Sequence, residues 1–440
     1  MTALTVRRLE RLRENLYEAR IANGLKVFIL PKMDFRQTYA TFTTKYGSLD
    51  SEFVNPESGQ RIKVPDGIAH FLEHKMFEEE EGDVFNRFAQ FGAQANAFTT
   101  FDSTTYLFSS TSHVDENLNV LLDFVQNPYF TDQNVEKEKG IIAQEIKMYE
   151  DTPGWRSYFG LLKGFYGDHP AATDIAGTVE SISQITKEDL YQCYQTFYHP
   201  ANMVLFIVGP VDPEQVLQLV ADNQSKKTFS KRQEIMRFYP EWPIHAVKEL
   251  TESRLAIAQP RVLFGYKDER TSPNPIVRVR HEAAMELWMD AILGRGSRLF
   301  HAMIEEGLMD QGFTVEYELT ERYGHSMLGG NSMRPLDLVG RVQEALKNTA
   351  KSGIDEGDFN RTKRKAIGRF VSLLDSPQGV AHVFTAQILR GIDIFDTLPV
   401  LEDISLDEAN EAMREHLRDN QFAVSLIRQP DAEVETSRHE

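Results

Sequence analysis

The sequence predicts an α+β protein made of two related domains, and three observations lead to this prediction. With 440 residues, of which 41% are hydrophobic, the chain is longer than one compact domain of usual size. Short strand-like segments alternate with stretches of helical periodicity. The order of these elements in the first half recurs in the second half, which indicates two copies of one fold rather than a short-period repeat.

The first half opens with a predicted hairpin, because Asn23-Gly24 separates two strand-like segments and this dipeptide favours a tight turn. Alternating or short apolar runs predict further strands at 38–46, 103–110 and 203–208. Apolar residues at helical spacing predict a helix over 114–125. A second helix is expected to begin with Asp132 as its cap and to run to about Tyr149.

The second half is predicted to repeat this order, with a strand at 261–265, a helix around 282–293 and a strand near 326–328. Two helices are expected after them. Both halves end with a helix that leads into an apolar strand. A polar segment followed by prolines lies between the halves and is expected to be a linker. We therefore predict a first domain at 1–223, a linker at 224–250 and a homologous second domain at 251–440.

Charge and cysteine content exclude several classes of protein. The net charge of −18 opposes binding to phosphate backbones, so no nucleic-acid partner is expected. Cys193 is the single cysteine, so any metal must be held by histidines and carboxylates.

No apolar run predicts a membrane helix. Because the N-terminal segment lacks the apolar core of a secretion signal and contains Glu10 and Glu14, we expect a cytoplasmic protein.

The strongest chemical signal is the segment 70–74, with the sequence H-F-L-E-H. It is predicted to be helical, with Asp66 as the N-cap. Residues three and four apart share a helix face, so His70 and His74 can offer two imidazole nitrogens to one zinc ion. Glu73 lies on the same side, where it can act as general base toward a water molecule that the metal activates.

A catalytic zinc ion usually takes three protein ligands and leaves one position open, so a third ligand must come from elsewhere. The best candidate is Glu145, on the helix that follows Asp132. Glu138 lies two turns earlier on nearly the same face, where its carboxylate could hydrogen-bond a ligand histidine and fix its tautomer. The ligand types predict Zn²⁺, and they also suit manganese or cobalt.

The motif alone has a plain alternative, namely two histidines and a glutamate on a solvated helix face. The other histidines are scattered singly and are expected at surface, capping or core positions; they include His113, His169, His199 and His281. The acidic run 78–81 is interpreted as a solvated helix end or loop without a catalytic role. None of these residues supplies a competing metal site.

Together the residues resemble the pitrilysin, or insulinase, family of zinc peptidases, whose signature is H-x-x-E-H followed farther along by a helical glutamate. The similarity extends over nearly the whole chain. It includes Asn23-Gly24-Leu25, Gly92, Ala95 to Thr99, Tyr106, His169-Pro170, Gly177, Tyr198 to Met203, and Gly209. In detail the chain is similar to a bacterial YmfH-like branch that is associated with 5-aminopentanol modification of elongation factor P.

The resemblance implies two domains of the pitrilysin and mitochondrial-processing-peptidase type, each a mainly antiparallel sheet packed with helices. Two such domains form half of a clamshell, so a dimer with another chain and a peptide substrate are expected. It also implies an edge strand beside the zinc, to which an extended peptide adds through backbone hydrogen bonds. The residues of this strand are Ala95, Asn96, Ala97, Phe98 and Thr99.

The second half departs from the family pattern. Many relatives carry an arginine and a following tyrosine that stabilise the oxyanion, but Met303 and Asp310 lie where that pair would fall. No matching pair of histidines surrounds Glu282 and Glu286, so the resemblance implies a metal-free copy. We therefore expect a catalytic subunit in a heterodimer whose related partner supplies the arginine and tyrosine; a homodimer is the alternative.

Two other functions stay open. A peptide-binding or assembly subunit could keep the peptidase fold without turnover, although the intact set of His70, Glu73 and His74 argues against it. A metal-dependent enzyme that acts on something other than peptides would fit the metal site but not the expected edge strand. The sequence thus favours a zinc metalloendopeptidase with Glu73 as general base.

Overall fold

The structure is a computed structural model, and it describes residues 4–10, 12–56, 58–231 and 233–430. The described residues fall into two compact units, each assembled from separate stretches of the chain. Unit 1 comprises Met1–Ile146, Thr173–Pro240 and Gly368–Leu398. Unit 2 comprises Lys147–Ala172, Glu241–Ile367 and Pro399–Glu440.

The strands, in chain order, are β1 (Thr5–Leu9), β2 (Glu14–Arg20), β3 (Lys26–Pro31), β4 (Thr38–Thr44), β5 (Glu52–Val54), β6 (Arg61–Lys63), β7 (Glu78–Glu79), β8 (Gly82–Asp83), β9 (Gln94–Thr99), β10 (Thr104–Ser110), β11 (Met203–Gly209), β12 (Leu250–Arg254), β13 (Arg261–Asp268), β14 (Thr314–Leu319), β15 (Gly324–Asn331) and β16 (Phe422–Arg428). The helices are α1 (Ile68–Lys75), α2 (Val84–Gln90), α3 (Val114–Val125), α4 (Asp132–Glu150), α5 (Pro153–Tyr166), α6 (Val179–Ser183), α7 (Lys187–Phe197), α8 (Pro213–Ser225), α9 (Pro275–Leu293), α10 (Arg298–Glu305), α11 (Pro335–Ser352), α12 (Glu356–Leu373), α13 (Pro377–Leu389), α14 (Thr397–Asp403) and α15 (Leu406–His416).

Unit 1 is built on a seven-stranded sheet in the order β1-β2-β3-β11-β4-β10-β9. Neighbouring strands within this sheet are antiparallel, except for the parallel pair β3 and β11. The central strands β4 and β11 are buried throughout, as expected for strands that are covered on both faces. Phe42 points into the core that includes Leu121 of α3. Its neighbour Thr41 points the other way and hydrogen-bonds Thr385 of α13.

Unit 2 is built on a five-stranded sheet in the order β12-β16-β13-β15-β14. Only β12 and β16 are parallel. Helix α5 packs against β13 and β16, and α9 packs against β14 and α15. The buried Trp288 of α9 donates a hydrogen bond to Asn410 of α15. Two mainly antiparallel sheets with helices confirm the predicted α+β class. In the described parts of both units, no helix combines the length and apolar content that a membrane crossing requires.

The predicted strands and helices are present, but three helix starts differ, and five helices rather than three lie between β15 and β16. Helix α9 begins at Pro275 instead of near 282. Thr131, rather than Asp132, caps α4, because the Thr131 hydroxyl accepts a hydrogen bond from the Asn134 N–H. At α1 the N-cap position is Gly67, with φ 90° and no side-chain cap, so the predicted role of Asp66 is wrong. A Cβ atom on Gly67 would lie 2.4 Å from the Ala176 carbonyl oxygen. Close backbone packing therefore fixes this helix start, and glycine permits it.

The contiguous domain spans 1–223 and 251–440 differ from the observed units. Helix α5 belongs to unit 2 although it lies within the first span, and α13 belongs to unit 1 although it lies within the second. The predicted linker 224–250 begins in the last turn of α8 and ends at the first residue of β12. Helical periodicity shows that a segment has an apolar face, but it does not show which sheet that face will cover.

Candidate metal centre

The segment 70–74 lies on α1 in unit 1, as the sequence predicts. Ile68, Phe71 and Leu72 are buried in the core of unit 1, and their burial fixes the rotation of the helix about its axis. That rotation leaves His70 and His74 on a neighbouring face, with ring centroids 4.6 Å apart. The two imidazoles are therefore held close together before any ligand arrives.

Glu145 reaches both histidines from α4. Its Oε1 atom lies 3.8 Å from His70 Nε2, and its Oε2 atom lies 3.4 Å from His74 Nε2. One ligand atom from each of the three residues lies within 4.8 Å of the others, and no second group of three such residues occurs among the described residues. Two imidazole nitrogens and one carboxylate oxygen form a donor set that fits a catalytic zinc ion.

The two histidines differ in their protonation. Burial, with a further contribution from His74, lowers the pKa of His70 to about 3, so this imidazole is neutral and suited to bind a metal. Burial would also lower the pKa of His74. The hydrogen bond to Glu138 and the nearby carboxylates, including those of Glu73 and Glu145, oppose burial and raise that pKa above its ordinary value.

Glu138 makes the contact that its helical spacing predicts. Its Oε1 atom lies 3.1 Å from His74 Nδ1. Burial would raise the pKa of Glu138, but the bond to His74 and the charge of Lys75 lower it, so the carboxylate is ionised. An ionised carboxylate can only accept, so Nδ1 of His74 carries the proton. Nε2 of His74 faces Glu145 and is the nitrogen that would bind a metal once it gives up its proton.

Glu73 is buried beside these groups, with an exposed fraction of 8%. The Thr99 hydroxyl donates a hydrogen bond of 2.6 Å to Glu73 Oε2. Burial raises the pKa of Glu73 to about 7, although Thr99 and His74 oppose the shift. A carboxyl group that titrates near neutral pH can both take up and release a proton.

The predicted substrate strand is β9, which contains all five of the residues assigned to it. β9 is one of the two edge strands of the seven-stranded sheet and pairs only with β10 within the described chain. Helix α1 packs on it, and Thr99 joins it to Glu73. An open strand edge therefore lies directly beside the group of titratable residues.

Lys75 is a residue that the sequence reading missed. It ends α1, its side chain has no exposed surface, and it pairs with Glu78 and Glu138. A signal for this burial was available, because Lys75 lies seven residues after Ile68 and four after Phe71, on the apolar stripe of the helix. A cation on an apolar stripe predicts a buried anionic partner.

The acidic run 78–81 is not simply a solvated segment, so that prediction is wrong for its first two residues. Glu78 and Glu79 form β7, and Glu78 pairs with Lys75. Glu79 is buried and accepts two hydrogen bonds from Arg87, at 2.7 and 2.9 Å. Only Glu80 and Glu81, at the hairpin turn, are exposed. Specific ion-pair partners accompany burial here, and charge alone does not reveal them.

Unit 2 uses its histidines differently. His281, which precedes Glu282 in α9, lies 3.2 Å from Asp268 Oδ2, and His416 Nδ1 lies 3.0 Å from the same oxygen. Met303 is fully buried in α10, whereas Asp310 is exposed after that helix. Neither residue presents a cation or a phenol where the family resemblance would place the arginine and tyrosine.

Comparisons with known proteins extend over nearly the whole chain. Residues 57–178 match the family described as insulinase, peptidase family M16, and residues 184–366 match the peptidase M16 inactive domain. The chain is 43% identical over 418 residues to the uncharacterized zinc protease YmfH of Bacillus subtilis, covering 95% of this chain and 97% of YmfH. It is 26% identical over 385 residues to the uncharacterized zinc protease YmxG of the same organism, covering 84% and 90%.

Solved structures agree with these relationships. An M16-like peptidase from Alicyclobacillus acidocaldarius superposes with a TM-score of 0.91 and 42% identity, covering 95% of this chain and 99% of that one. A protease from Helicobacter pylori has the same fold, with a TM-score of 0.83, 18% identity and coverage of 94% and 99%. The fold and the sequence therefore lead to one family.

Proposed function

Because the chain belongs to the M16, or insulinase, family of zinc proteases, we propose that it is a zinc metalloendopeptidase with its active site in unit 1. The observation that carries this proposal is the convergence of His70, His74 and Glu145 beside the buried Glu73. A metal site without a general base would suit storage or structure. A general base at a three-ligand site suits hydrolysis.

The roles of the residues follow from their contacts. A zinc ion held by His70, His74 and Glu145 would supply Lewis acidity and so make a nearby water molecule a better nucleophile at neutral pH. Glu73 accepts the proton of that water and passes it to the leaving amine. Thr99 holds Glu73 Oε2, so we assign the proton transfer to Oε1.

We propose that the substrate is an extended peptide that adds to the free edge of β9. Backbone hydrogen bonds to an edge strand give affinity without demanding a particular sequence, while side-chain pockets set preference. The edge position of β9 and the link from Thr99 to Glu73 support this arrangement. A peptide bound there lies within reach of the general base, which provides the alignment that hydrolysis requires.

We further propose that the active enzyme is a heterodimer with a related, non-catalytic chain. The buried Met303 and the exposed Asp310 leave the oxyanion without the arginine and tyrosine of many relatives, so a partner would have to supply them. Co-purification from the native host tests this. Full activity of a homodimer would remove the heterodimer and leave the peptidase assignment intact.

A second candidate is a peptide-binding or assembly subunit without turnover. The match of residues 184–366 to the M16 inactive domain is the observation that favours it. The complete set of His70, Glu73, His74 and Glu145 favours catalysis instead. Turnover decides between the two, because a binding subunit retains peptides without cleaving them.

The test is digestion of a peptide library by the purified chain, alone and with its native partner. We expect cleavage that a chelator abolishes and zinc restores. Glu145→Ala should weaken zinc binding by more than roughly 10- to 100-fold, which is the usual effect of losing a group that hydrogen-bonds a metal ligand without touching the metal. The matched control is Glu136→Ala on the same helix, since Glu136 is exposed and, within the part of the chain that the structure describes, pairs only with Lys139. Cleavage that persists without metal would contradict the proposal.

A further inference from the structure

Lys75 is an unusual residue for its position. It directly follows the proposed ligand His74, and its side chain has 0% exposure. Lysine is almost never fully buried unless it is paired, because the removal of an ammonium group from water costs several kcal/mol. A buried lysine beside a metal centre therefore needs an account of what its charge does there.

The contacts of Lys75 lead back to the metal centre through one carboxylate. Lys75 Nζ lies 3.5 Å from Glu138 Oε2, while the other oxygen, Oε1, lies 3.1 Å from His74 Nδ1. A carboxylate engaged at both oxygens cannot rotate freely. It therefore holds the His74 ring in one orientation, with Nε2 facing Glu145 at 3.4 Å.

The charge of Lys75 also matters at this place. Three carboxyl groups lie close to the two histidines, and the ionised carboxylates repel one another; they belong to Glu73, Glu138 and Glu145. Within the described chain, Lys75 is the lysine or arginine that forms an ion pair with Glu138. Without this cation, the buried Glu138 would tend to turn away from its neighbours and toward water. The orientation of His74 would then be lost.

We propose that Lys75 is a positioning residue of the metal centre, which orients Glu138 and, through it, the ligand nitrogen of His74. The inference rests on the proposed zinc site. Lys75 does not touch the metal or the substrate. It makes the site ready before the metal binds, so that little binding free energy is spent on ordering the His74 ring.

A merely structural role is the competing account. Lys75 also pairs with Glu78 of β7, and it could simply tie the β7–β8 hairpin to the end of α1. Such a tie would affect the stability of unit 1 but not the affinity for zinc in the folded chain. The two accounts therefore differ in which measurement responds to a change at Lys75.

The first test is Lys75→Met, which keeps the length of the side chain and removes its charge. Competition with a chromophoric chelator measures the zinc dissociation constant, and thermal unfolding of the metal-free chain measures stability. We expect zinc to bind about 10- to 100-fold more weakly, as for the loss of other outer partners of metal ligands. Turnover of a cleavable peptide should recover when zinc is saturating, with KM unchanged.

The matched control is Glu78→Gln, which alters the other partner of Lys75 and leaves the contact with Glu138 in place. We expect its zinc affinity to stay at the wild-type value. If Lys75→Met does not fold, Lys75→Leu replaces it, because leucine also removes the charge and the contact with Glu138 and keeps an apolar side chain at this buried position. The same loss of zinc affinity is then required. A folded Lys75 variant with wild-type zinc affinity would overturn the proposal.

A double-mutant cycle shows whether Lys75 acts through Glu138. Glu138→Gln alone should weaken zinc binding, and Lys75→Met should add little in that background. Additive losses would mean that Lys75 acts by another route, which would refute the positioning role. These outcomes are separate from the proposed function. Failure of the wild-type chain to bind zinc would refute the zinc peptidase itself, whereas wild-type affinity in the Lys75 variant would refute only this inference.

Discussion

Unit 1 and unit 2 each bury a carboxylate, and the two carboxylates behave in opposite ways. Glu73 in unit 1 is 8% exposed and Asp268 in unit 2 is 5% exposed. Burial raises the pKa of Glu73 to about 7. Burial would raise the pKa of Asp268 too, but its hydrogen bonds hold that pKa far below the ordinary value. Equal burial thus yields a carboxyl group near neutrality in one unit and a permanent anion in the other.

The number of hydrogen-bond donors explains the difference. Among the described residues, Glu73 accepts a side-chain hydrogen bond from one donor, the hydroxyl of Thr99. Asp268 Oδ2 interacts with three groups, which are His281, His416 and Tyr317. Donors favour the charged form of a buried carboxyl group, and burial without donors favours the neutral form. Glu73, which has few hydrogen-bond donors, is suited to proton transfer. Asp268, which has several, is suited to hold elements of the fold together.

The sharpest way to break this comparison is Glu73→Gln. We expect peptide turnover to fall by about 10²- to 10⁴-fold, the usual contribution of general acid–base catalysis. Zinc content and the free energy of unfolding should change little, because the amide still fits beside Thr99. Initial rates at saturating zinc, together with metal analysis, check this. Turnover at the wild-type rate would remove Glu73 from the mechanism.

Asp268→Asn should lower the free energy of unfolding, whereas Glu73→Gln lowers peptide turnover. Loss of one partner from a buried ionic cluster costs about 3–5 kcal/mol of stability, while zinc affinity at unit 1 should stay unchanged. Urea unfolding followed by tryptophan fluorescence reports on unit 2, since Trp155, Trp242 and Trp288 all lie there. Unaltered stability together with weakened zinc binding would reverse the assignment of the two carboxylates.

The pH dependence of stability sharpens the comparison. Because the folded-state pKa of Asp268 is depressed, its contribution is fully present above the unfolded value of about 3.9 and is lost as pH falls below it. The difference in unfolding free energy between the wild type and Asp268→Asn should therefore shrink as the pH falls below about 4. Unfolding titrations from neutral to acidic pH measure it. A difference that grows as the pH falls below about 4 would contradict the depressed pKa.

The smallest expected effect comes from Tyr317→Phe, which removes one of the three groups on Asp268 Oδ2. The Tyr317 hydroxyl donates a hydrogen bond of 2.6 Å to Asp268 Oδ2, and a bond to a charged group contributes about 1.5–3 kcal/mol. We expect a loss of stability within that range and no change in turnover. Tyr158→Phe, in the same unit, is a control that leaves Asp268 untouched. Equal losses in both variants would indicate general packing effects.

Much of the site could be predicted from local sequence because its parts are spaced along single helices. The pattern from His70 to His74 fixes one face of α1, and the interval from Glu138 to Glu145 fixes one face of α4. Helical geometry brings residues three, four or seven apart onto one side, whatever the rest of the fold does. The strand β9 was expected from the family resemblance, and its position at an edge of the sheet is a property of the assembled fold.

Contacts between distant segments could not be predicted in this way. Three contacts join parts of the chain that lie far apart in sequence. The Thr99 hydroxyl hydrogen-bonds Glu73, Lys75 forms an ion pair with Glu138, and Gly67 packs closely against Ala176. The assignment of α5 and α13 to their units also depends on which sheet each helix covers. The sequence by itself determined the elements and the residue types of the candidate metal centre. Only the tertiary structure decided the charge states of these residues and the hydrogen bonds and ion pairs that hold them. The reason is that burial and long-range partners set the free energy of each charged form.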